Sequence, residues 1–333
     1  MSSLEFATAV HAVADACAVT RAVQQRLGVI KSVTKDDRSP VTVADFAAQA
    51  VVGLRLAEGL GAFAMIGEES AAELRAQAGG ELARAVCDAV RTVCPGVSDE
   101  EVFDAIDRGN HDPASGIRRY WTLDPVDGTK GFLRGGQYAV SLALIEDGQV
   151  SLGVLGCPNL GADQSRAFDD PDPVGTLFHA RRGEGAWCVR ANAPGTQATR
   201  IAVASGRSVR EMRVCESVES GHSRHDFTSR IVTHLDARGT PARLDSQTKY
   251  AVVARGQADA YLRLPTSYTY VEKIWDHAAG KIVAEEAGAI VTDIEGKPLD
   301  FGHGATLSKN RGVVCAPPAF HRALIDAIDA LMP

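Results

Sequence analysis

The chain has 333 residues, 45% of them apolar, enough for a sizeable packed core in one large or two ordinary domains. Its 35 basic and 42 acidic side chains leave a formal charge of −7, so overall electrostatics give a nucleic-acid surface no support, and an anionic ligand must be met by local cations or metal ions. The seven cysteines (17, 87, 94, 157, 188, 215 and 315) are odd in number and never spaced C-x-x-C, which argues against a zinc knuckle, a thioredoxin-like motif or a complete disulfide framework.

The opening MSSLEFATAVHAVADA carries acids in an amphipathic pattern without a basic leader, and no run of about eighteen uninterrupted apolar residues occurs. A cytoplasmic protein without a membrane partner is the expectation. Over residues 4–27, Phe6, Val10, Val13, Ala14, Cys17 and Ala18 fall on one helical face, and Gly28 is the expected stop. The polar KSVTKDDRSPVT (31–42) leads into a second helix, VADFAAQAVVGLRLAEGL, with serine, proline and threonines ahead of it. AFAMIG reads as a short strand ending at Glu68 and Glu69, helical patterns fill 70–106, and RYWTLDP is a strand entering a turn at Asp124. QYAVSLALIEDG and QVSLGVLGCP alternate about a turn at Asp147 and Gly148, which predicts a β-meander.

The Gly, Asp and Pro cluster of LGADQSRAFDDPDPVG (160–175) marks the expected boundary between an N-terminal α+β domain (1–160) and a C-terminal α/β domain (161–333). Beyond it, strands at LFHAR, GAWCV, MRVCE and ADAYLRL alternate with helices over 225–236, 247–255 and 276–287, and the chain closes with AIVTD, GVVCA and a final helix. No internal repeat or heptad run is present.

Five acids, Asp45, Glu68, Asp124, Asp127 and Asp276, stand where the pattern ends a strand or begins a helix. Singly, each has an ordinary explanation: Asp-Pro and Asp-Gly are turn dipeptides, Asp45 and Asp276 could oppose a helix dipole, and Glu68 could be solvated. Together, flanked by Trp121, Leu123, Val126, Phe132, Ile274 and Trp275, they read as partly buried carboxylates in need of a compensating cation. Oxygen donors without histidine or cysteine point to a hard divalent ion such as Mg²⁺ rather than zinc. Two such ions about 4 Å apart can clamp the attacking and leaving oxygens of a phosphoryl transfer. The step from Asp124 to Asp127, with Pro125 fixing the backbone, can turn both side chains and the Val126 carbonyl toward one point, beside the Thr129 hydroxyl. Lys249 and the forked Arg263 suit a second phosphate as charge-assisted donors, against the ordinary reading of solvated surface charge. No P-loop and no dinucleotide-binding glycine motif is present.

Taken jointly, SPVTVADFAAQ (39–49), IGEES (66–70), LDPVDGTKGF (123–132) and WDHAAGKIVAEEAGA (275–289) resemble the lithium-sensitive phosphatases of the inositol monophosphatase superfamily. Within it, TKGFLRGGQYAVSLALIEDGQVSLGVLGCPNL, ESGHSRHD, LDSQTKYAVVARGQADAYLRLP and EKIWDHAAG resemble the 3′(2′),5′-bisphosphate nucleotidase branch, and the likeness runs from about residue 31 to 316. The resemblance implies a layered α-β-α-β-α sandwich of the fructose-1,6-bisphosphatase-like type, α+β to α/β in class. It implies two or three Mg²⁺ ions on Glu68, Asp124, the Val126 carbonyl, Asp127 and Asp276, with Asp45 and Thr129 as the catalytic pair that polarises the attacking water. His222, Ser246, Lys249 and Arg263 would contact the nucleotide, with Thr129 and Asp276 also touching substrate.

The activity so implied is Mg-dependent hydrolysis of the 3′-phosphate of adenosine 3′,5′-bisphosphate to AMP and phosphate, without a phosphoenzyme. The 2′,5′-bisphosphate and the 3′-phosphoadenosine 5′-phosphosulfate are further substrates on the same reading. A role in sulfur assimilation, inhibition by lithium and a monomer whose partner is a small-molecule nucleoside bisphosphate, not nucleic acid, go with it. The alternatives are an inositol polyphosphate 1-phosphatase or inositol monophosphatase, both activities at once, or an idle nucleotide or metal binder.

Overall fold

The computed structural model describes residues 2–30, 40–112, 116–218, 225–265 and 270–332. Alanines and valines recur along the first two helices, Ser3–Ile30 (α1) and Pro40–Leu60 (α2), so that Ala9, Ala12, Val13 and Ala16 lie fully buried with Ala44, Ala47, Ala48 and Val51. α1 runs through Gly28 instead of ending there; one interior glycine costs a helix only about 1 kcal/mol against alanine. Its Ser3–Arg26 portion has the length and apolar composition of a membrane span, and 56% of that window is buried inside the protein. α2 opens on Pro40, where the missing N–H is no loss.

The strand Met65–Gly67 (β1) follows, and then three short helices: Ala72–Ala76 (α3), Glu81–Arg91 (α4) and Asp99–Asp107 (α5). α5 starts on a capping box, the Ser98 hydroxyl accepting from the Glu101 N–H and the Glu101 carboxylate from the Ser98 N–H. Arg119–Asp127 (β2) and Thr129–Arg134 (α6) precede the expected meander, Ala139–Glu146 (β3) and Gln149–Cys157 (β4). The residues that join the last two, Asp147 and Gly148, both take positive φ (52° and 73°), the geometry that Asp-Gly supplies to a two-residue hairpin turn.

The strands Thr176–Arg181 (β5), Ala186–Arg190 (β6) and Thr199–Ile201 (β7) complete the first sheet. After a 3₁₀ turn at Val209–Glu211 come Val214–Glu216 (β8), His225–His234 (α7), Ala242–Arg243 (β9), Thr248–Ala254 (α8) and Ala260–Arg263 (β10). Ala278–Glu286 (α9), Ile290–Thr292 (β11), Val313–Ala316 (β12) and Pro318–Leu331 (α10) end the chain. The expected strands all form. β7 and β9, three and two residues long, are too short to show alternation and were not anticipated.

Two mixed sheets result, ordered β1-β2-β3-β4-β5-β6-β7 and β11-β12-β10-β8-β9. The first takes strands from both sides of the turn-rich stretch 160–175, because β4 pairs with β5. Alternation decides which layer each face meets. Along β3, Val140, Leu142 and Leu144 join the core with α1, α2, α4 and α5, whereas Ala139, Ala143 and Ile145 face α8 and α9. Along β10 and β12, Tyr261, Val313 and Cys315 face that same middle layer, while Ala260, Leu262, Val314 and Ala316 pack on α7 and α10. The order of layers is therefore α-β-α-β-α, as the resemblance implies.

Candidate active site

β1 and β2 run parallel with Gly67 opposite Leu123, so Glu68 and Asp124, the next residue of each, come side by side where β1 ends. Beyond Asp124 the pairing of β2 with β3 slips, from Asp124–Ser141 to Asp127–Ala139, so one extra residue sits on β2. Pro125 has no N–H to give the ladder, and the bulge offsets the odd spacing that would otherwise send Asp124 and Asp127 to opposite faces. Val126 lies buried between them. Gly128 (φ 91°) then turns the chain, and Thr129 stands exposed as the first residue of α6.

Asp124 is buried, and its carboxyl is held well above the usual range by burial and by the charges of Asp127, Glu68, Asp276 and Asp45. All five acids picked out in the sequence therefore converge on one cleft. Glu68 is exposed as a residue, yet burial of its carboxyl group together with Asp276, Glu69 and Asp127 raises it to about 7. Asp45, half-buried on α2, is raised by burial and by Glu69 and Glu68. Asp276, in the turn before α9, rises to about 6 because burial and Asp127 outweigh the opposing pull of His277 and Arg263. Asp127 is raised by burial, against which the Gln247 N–H, Lys249, Arg263 and His277 all favour its charged form.

So many carboxyls in one cleft repel one another, and Asp124 Oδ1 is buried with no hydrogen-bond partner. An orphaned oxygen among oxygen-only donors fits a hard divalent cation. Glu68, Asp124 and its bulge, Asp127 and Asp276 could hold one. Glu272, Asp276 and His277 also bring donor atoms within 4.8 Å of one another. Both ring nitrogens of His277 are engaged, Nε2 with Glu272 Oε2 (3.3 Å) and Nδ1 with the Tyr250 hydroxyl (2.9 Å), so that trio reads as a hydrogen-bonded network rather than a second metal site.

The candidate nucleotide residues adjoin this cleft. Ser246 is buried at φ 70°, its hydroxyl donating to Thr248 Oγ1 (2.8 Å) and accepting the Thr248 N–H (3.1 Å). Lys249 is buried with Nζ 3.5 Å from the Ser246 carbonyl and 5.3 Å from the Tyr261 ring centre. Burial lowers its pKa, against the charges of Asp127 and Asp245. Arg263 is not a loose cation: Nε lies 3.2 Å from Glu272 Oε1, and Nη2 lies 3.5 Å from the Tyr270 hydroxyl. Glu272, buried, is drawn down to about 2 by His277 and Arg263 despite its burial. His222 lies outside the described residues.

Four participants escaped the sequence reading. Glu69 touches the cluster electrostatically, Glu272 fixes Arg263, and the Gln49 and Gln247 amides bond to the backbone of acid-bearing segments. Gln49 follows Asp45 by four residues, one helical turn on the same face, which is the signal that could have found it.

The chain matches the model of the inositol monophosphatase family over residues 5–332. It is 39% identical to a 3′(2′),5′-bisphosphate nucleotidase of Schizosaccharomyces pombe over 97% of this chain and 94% of that protein. It is 42% identical to the 3′(2′),5′-bisphosphate nucleotidase 1 of Candida albicans over 89% of this chain and 86% of the other. Among solved structures, the extragenic suppressor protein suhB of Bartonella henselae superimposes with a TM-score of 0.64 at 20% identity, over 99% of this chain and 100% of that one.

Proposed function

Because the chain belongs to the inositol monophosphatase family and, within it, to the 3′(2′),5′-bisphosphate nucleotidases, it is a phosphoric monoester hydrolase, and we propose that it cleaves adenosine 3′,5′-bisphosphate with water to AMP and phosphate. The observation that carries the choice of substrate is the pair of cations beside the acid cleft. Asp127 feels both Lys249 and Arg263, so a molecule bound at the acids by one phosphate can set a second phosphate against these two. The 2′,5′-bisphosphate and the 5′-phosphosulfate fit the same reading.

Magnesium ions, two or three in number, would be held by Glu68, Asp124, the Val126 carbonyl, Asp127 and Asp276, and when bound would neutralise phosphoryl oxygens and acidify water. The protein's own part is positioning and proton handling. Asp45, kept well above the ordinary carboxylate range by burial and by Glu69 and Glu68, is a base suited to accept the proton that the attacking water sheds. Thr129, at the mouth of the cleft, orients that water. Lys249 is already desolvated and Arg263 already fixed by Glu272, so little ordering is needed when the second phosphate arrives.

The test is phosphate release from adenosine 3′,5′-bisphosphate and inositol 1,4-bisphosphate side by side, with Mg²⁺ and with Li⁺ added. The nucleotide should be the faster substrate, chelation should stop turnover, and Li⁺ should inhibit it. Preference for the inositol bisphosphate would overturn the substrate assignment, and no release from either would overturn the activity.

A further inference from the structure

Two buried glutamines tie the acid-bearing segments to one another. Gln49, fully buried on α2 one turn after Asp45, donates from Nε2 to the Glu69 carbonyl (2.6 Å) and the Ile106 carbonyl (2.8 Å), and its Oε1 accepts the Glu69 N–H (3.1 Å). Both backbone groups of Glu69 are thus held by one amide on the helix that carries Asp45. The fit is close. A Cβ on Gly67 would stand 2.5 Å from Gln49 Oε1, and one on Gly109 would stand 2.5 Å from Nε2.

Gln247 does the equivalent on the other side of the cleft. Its backbone N–H donates to Asp127 Oδ2 (2.5 Å), its Nε2 donates to the Trp275 carbonyl (2.8 Å), and its Oε1 accepts the Gly280 N–H (3.1 Å). Asp276 lies between the last two anchor points. An amide suits these places: it offers a donor and an acceptor and adds no charge to a cleft already crowded with carboxylates.

We propose that Gln49 and Gln247 are positioning residues for the cation site, Gln49 setting Asp45 against Glu68 and Gln247 setting Asp127 against Asp276. The inference rests on the cleft being a magnesium site. Loss of either side chain would leave the carboxylates in place and loosen their spacing, so cation affinity should suffer more than turnover at saturating cation.

The experiment compares Gln49→Met, Gln247→Met and, as a control, Gln257→Met in the full chain. Gln257 is a buried glutamine three residues beyond α8 whose amide donates to the Gln164 carbonyl (2.6 Å) and accepts from Arg255 Nε, so its loss removes hydrogen bonds that tie no acid-bearing segment. Mg²⁺ alone is titrated calorimetrically, and the Mg²⁺ dependence of kcat and the Tm are measured beside it. The first two variants should bind Mg²⁺ about 10-fold to 100-fold more weakly and recover kcat at saturating Mg²⁺. The control should lose Tm alone. Equal Mg²⁺ affinity in all three, or turnover that saturating Mg²⁺ does not restore, overturns the inference. A wild-type protein that takes up no Mg²⁺ overturns the cation site itself and the inference with it. If a Met variant does not fold, Gln247→Asn, one methylene short of both anchor points, reads the same affinity change.

Discussion

Arg263 and Glu272 meet fork to fork, Nε 3.2 Å from Oε1 and Nη2 3.2 Å from Oε2, with Glu272 buried beneath. Arg263→Ala therefore has two effects. It leaves a buried carboxylate with His277 as its side-chain hydrogen-bond partner among the described residues, at a cost of about 1.5–3 kcal/mol, and it should raise KM roughly 10-fold or more for substrates carrying a 5′-phosphate. Adding Glu272→Gln removes the stranded charge and should restore part of the lost Tm without restoring KM. Steady-state kinetics on adenosine 3′,5′-bisphosphate and on adenosine 3′-monophosphate separate the two. An equal rise in KM on both substrates would deny Arg263 its role.

That pairing also marks where the sequence stops being readable. The acids were legible because they recur near expected strand ends and helix starts, with Leu123, Val126 and Trp275 beside Asp124, Asp127 and Asp276, a pattern visible along the chain. Glu272 was not. Its partner Arg263 is nine residues away, and the bond between them depends on β10 and the segment before Asp276 coming together in space. The five-layer order was legible through the family resemblance and through period-two alternation, which β3, β10 and β12 keep faithfully. The bulge at Pro125 could be suspected from the proline, while its effect on the Asp124–Asp127 spacing required the register against β3.

Asp124→Asn should separate function from stability in an unusual direction. In the cation-free protein the Asp124 charge is unfavourable, because burial and four neighbouring acids raise its pKa. Removing that charge should stabilise the EDTA-treated protein at pH 8, with roughly 2–4 °C of Tm for each kcal/mol gained. Turnover with Mg²⁺ should fall by roughly 100-fold or more. A variant that melts earlier than wild type in EDTA, or turns over normally, would show that the acids do not crowd one another as described.

The same repulsion sets a pH dependence. Glu68 at about 7 and Asp276 at about 6 both lie above their ordinary carboxyl values, so the folded protein retains protons that the unfolded chain gives up. For acids shifted this way, the cation-free fold loses stability as pH rises from about 4 through about 7, and the share of the loss due to Glu68 and Asp276 is complete above that window. A divalent cation displaces those protons. The gain in Tm on adding Mg²⁺ should therefore grow between pH 5.5 and 8, and calorimetric titration at pH 6 in buffers of different ionisation enthalpy should show proton release. A Tm gain independent of pH, with no proton release, would contradict the raised acids.

Gly128 and Gly135 bracket α6 and offer a matched comparison. Both have left-handed backbones, at φ 91° and 76°, so alanine at either place costs about 1 kcal/mol on conformational grounds. Their surroundings differ. A Cβ on Gly128 would lie 2.8 Å from Ser246 Cβ and 3.4 Å from Ser246 N, whereas one on Gly135 meets nothing within 4 Å. Ser246 cannot retreat cheaply: it has φ 70° itself, and the next N–H, that of Gln247, is the donor to Asp127. Gly128→Ala should thus cost a further 1–3 kcal/mol or so from overpacking, and by displacing the Gln247 N–H it should cut kcat about 10-fold or more. Gly135→Ala should lose only the conformational part and keep its turnover. If denaturant titrations and kinetics find the two variants alike, the close approach of Gly128 to Ser246 has no bearing on how Asp127 is held.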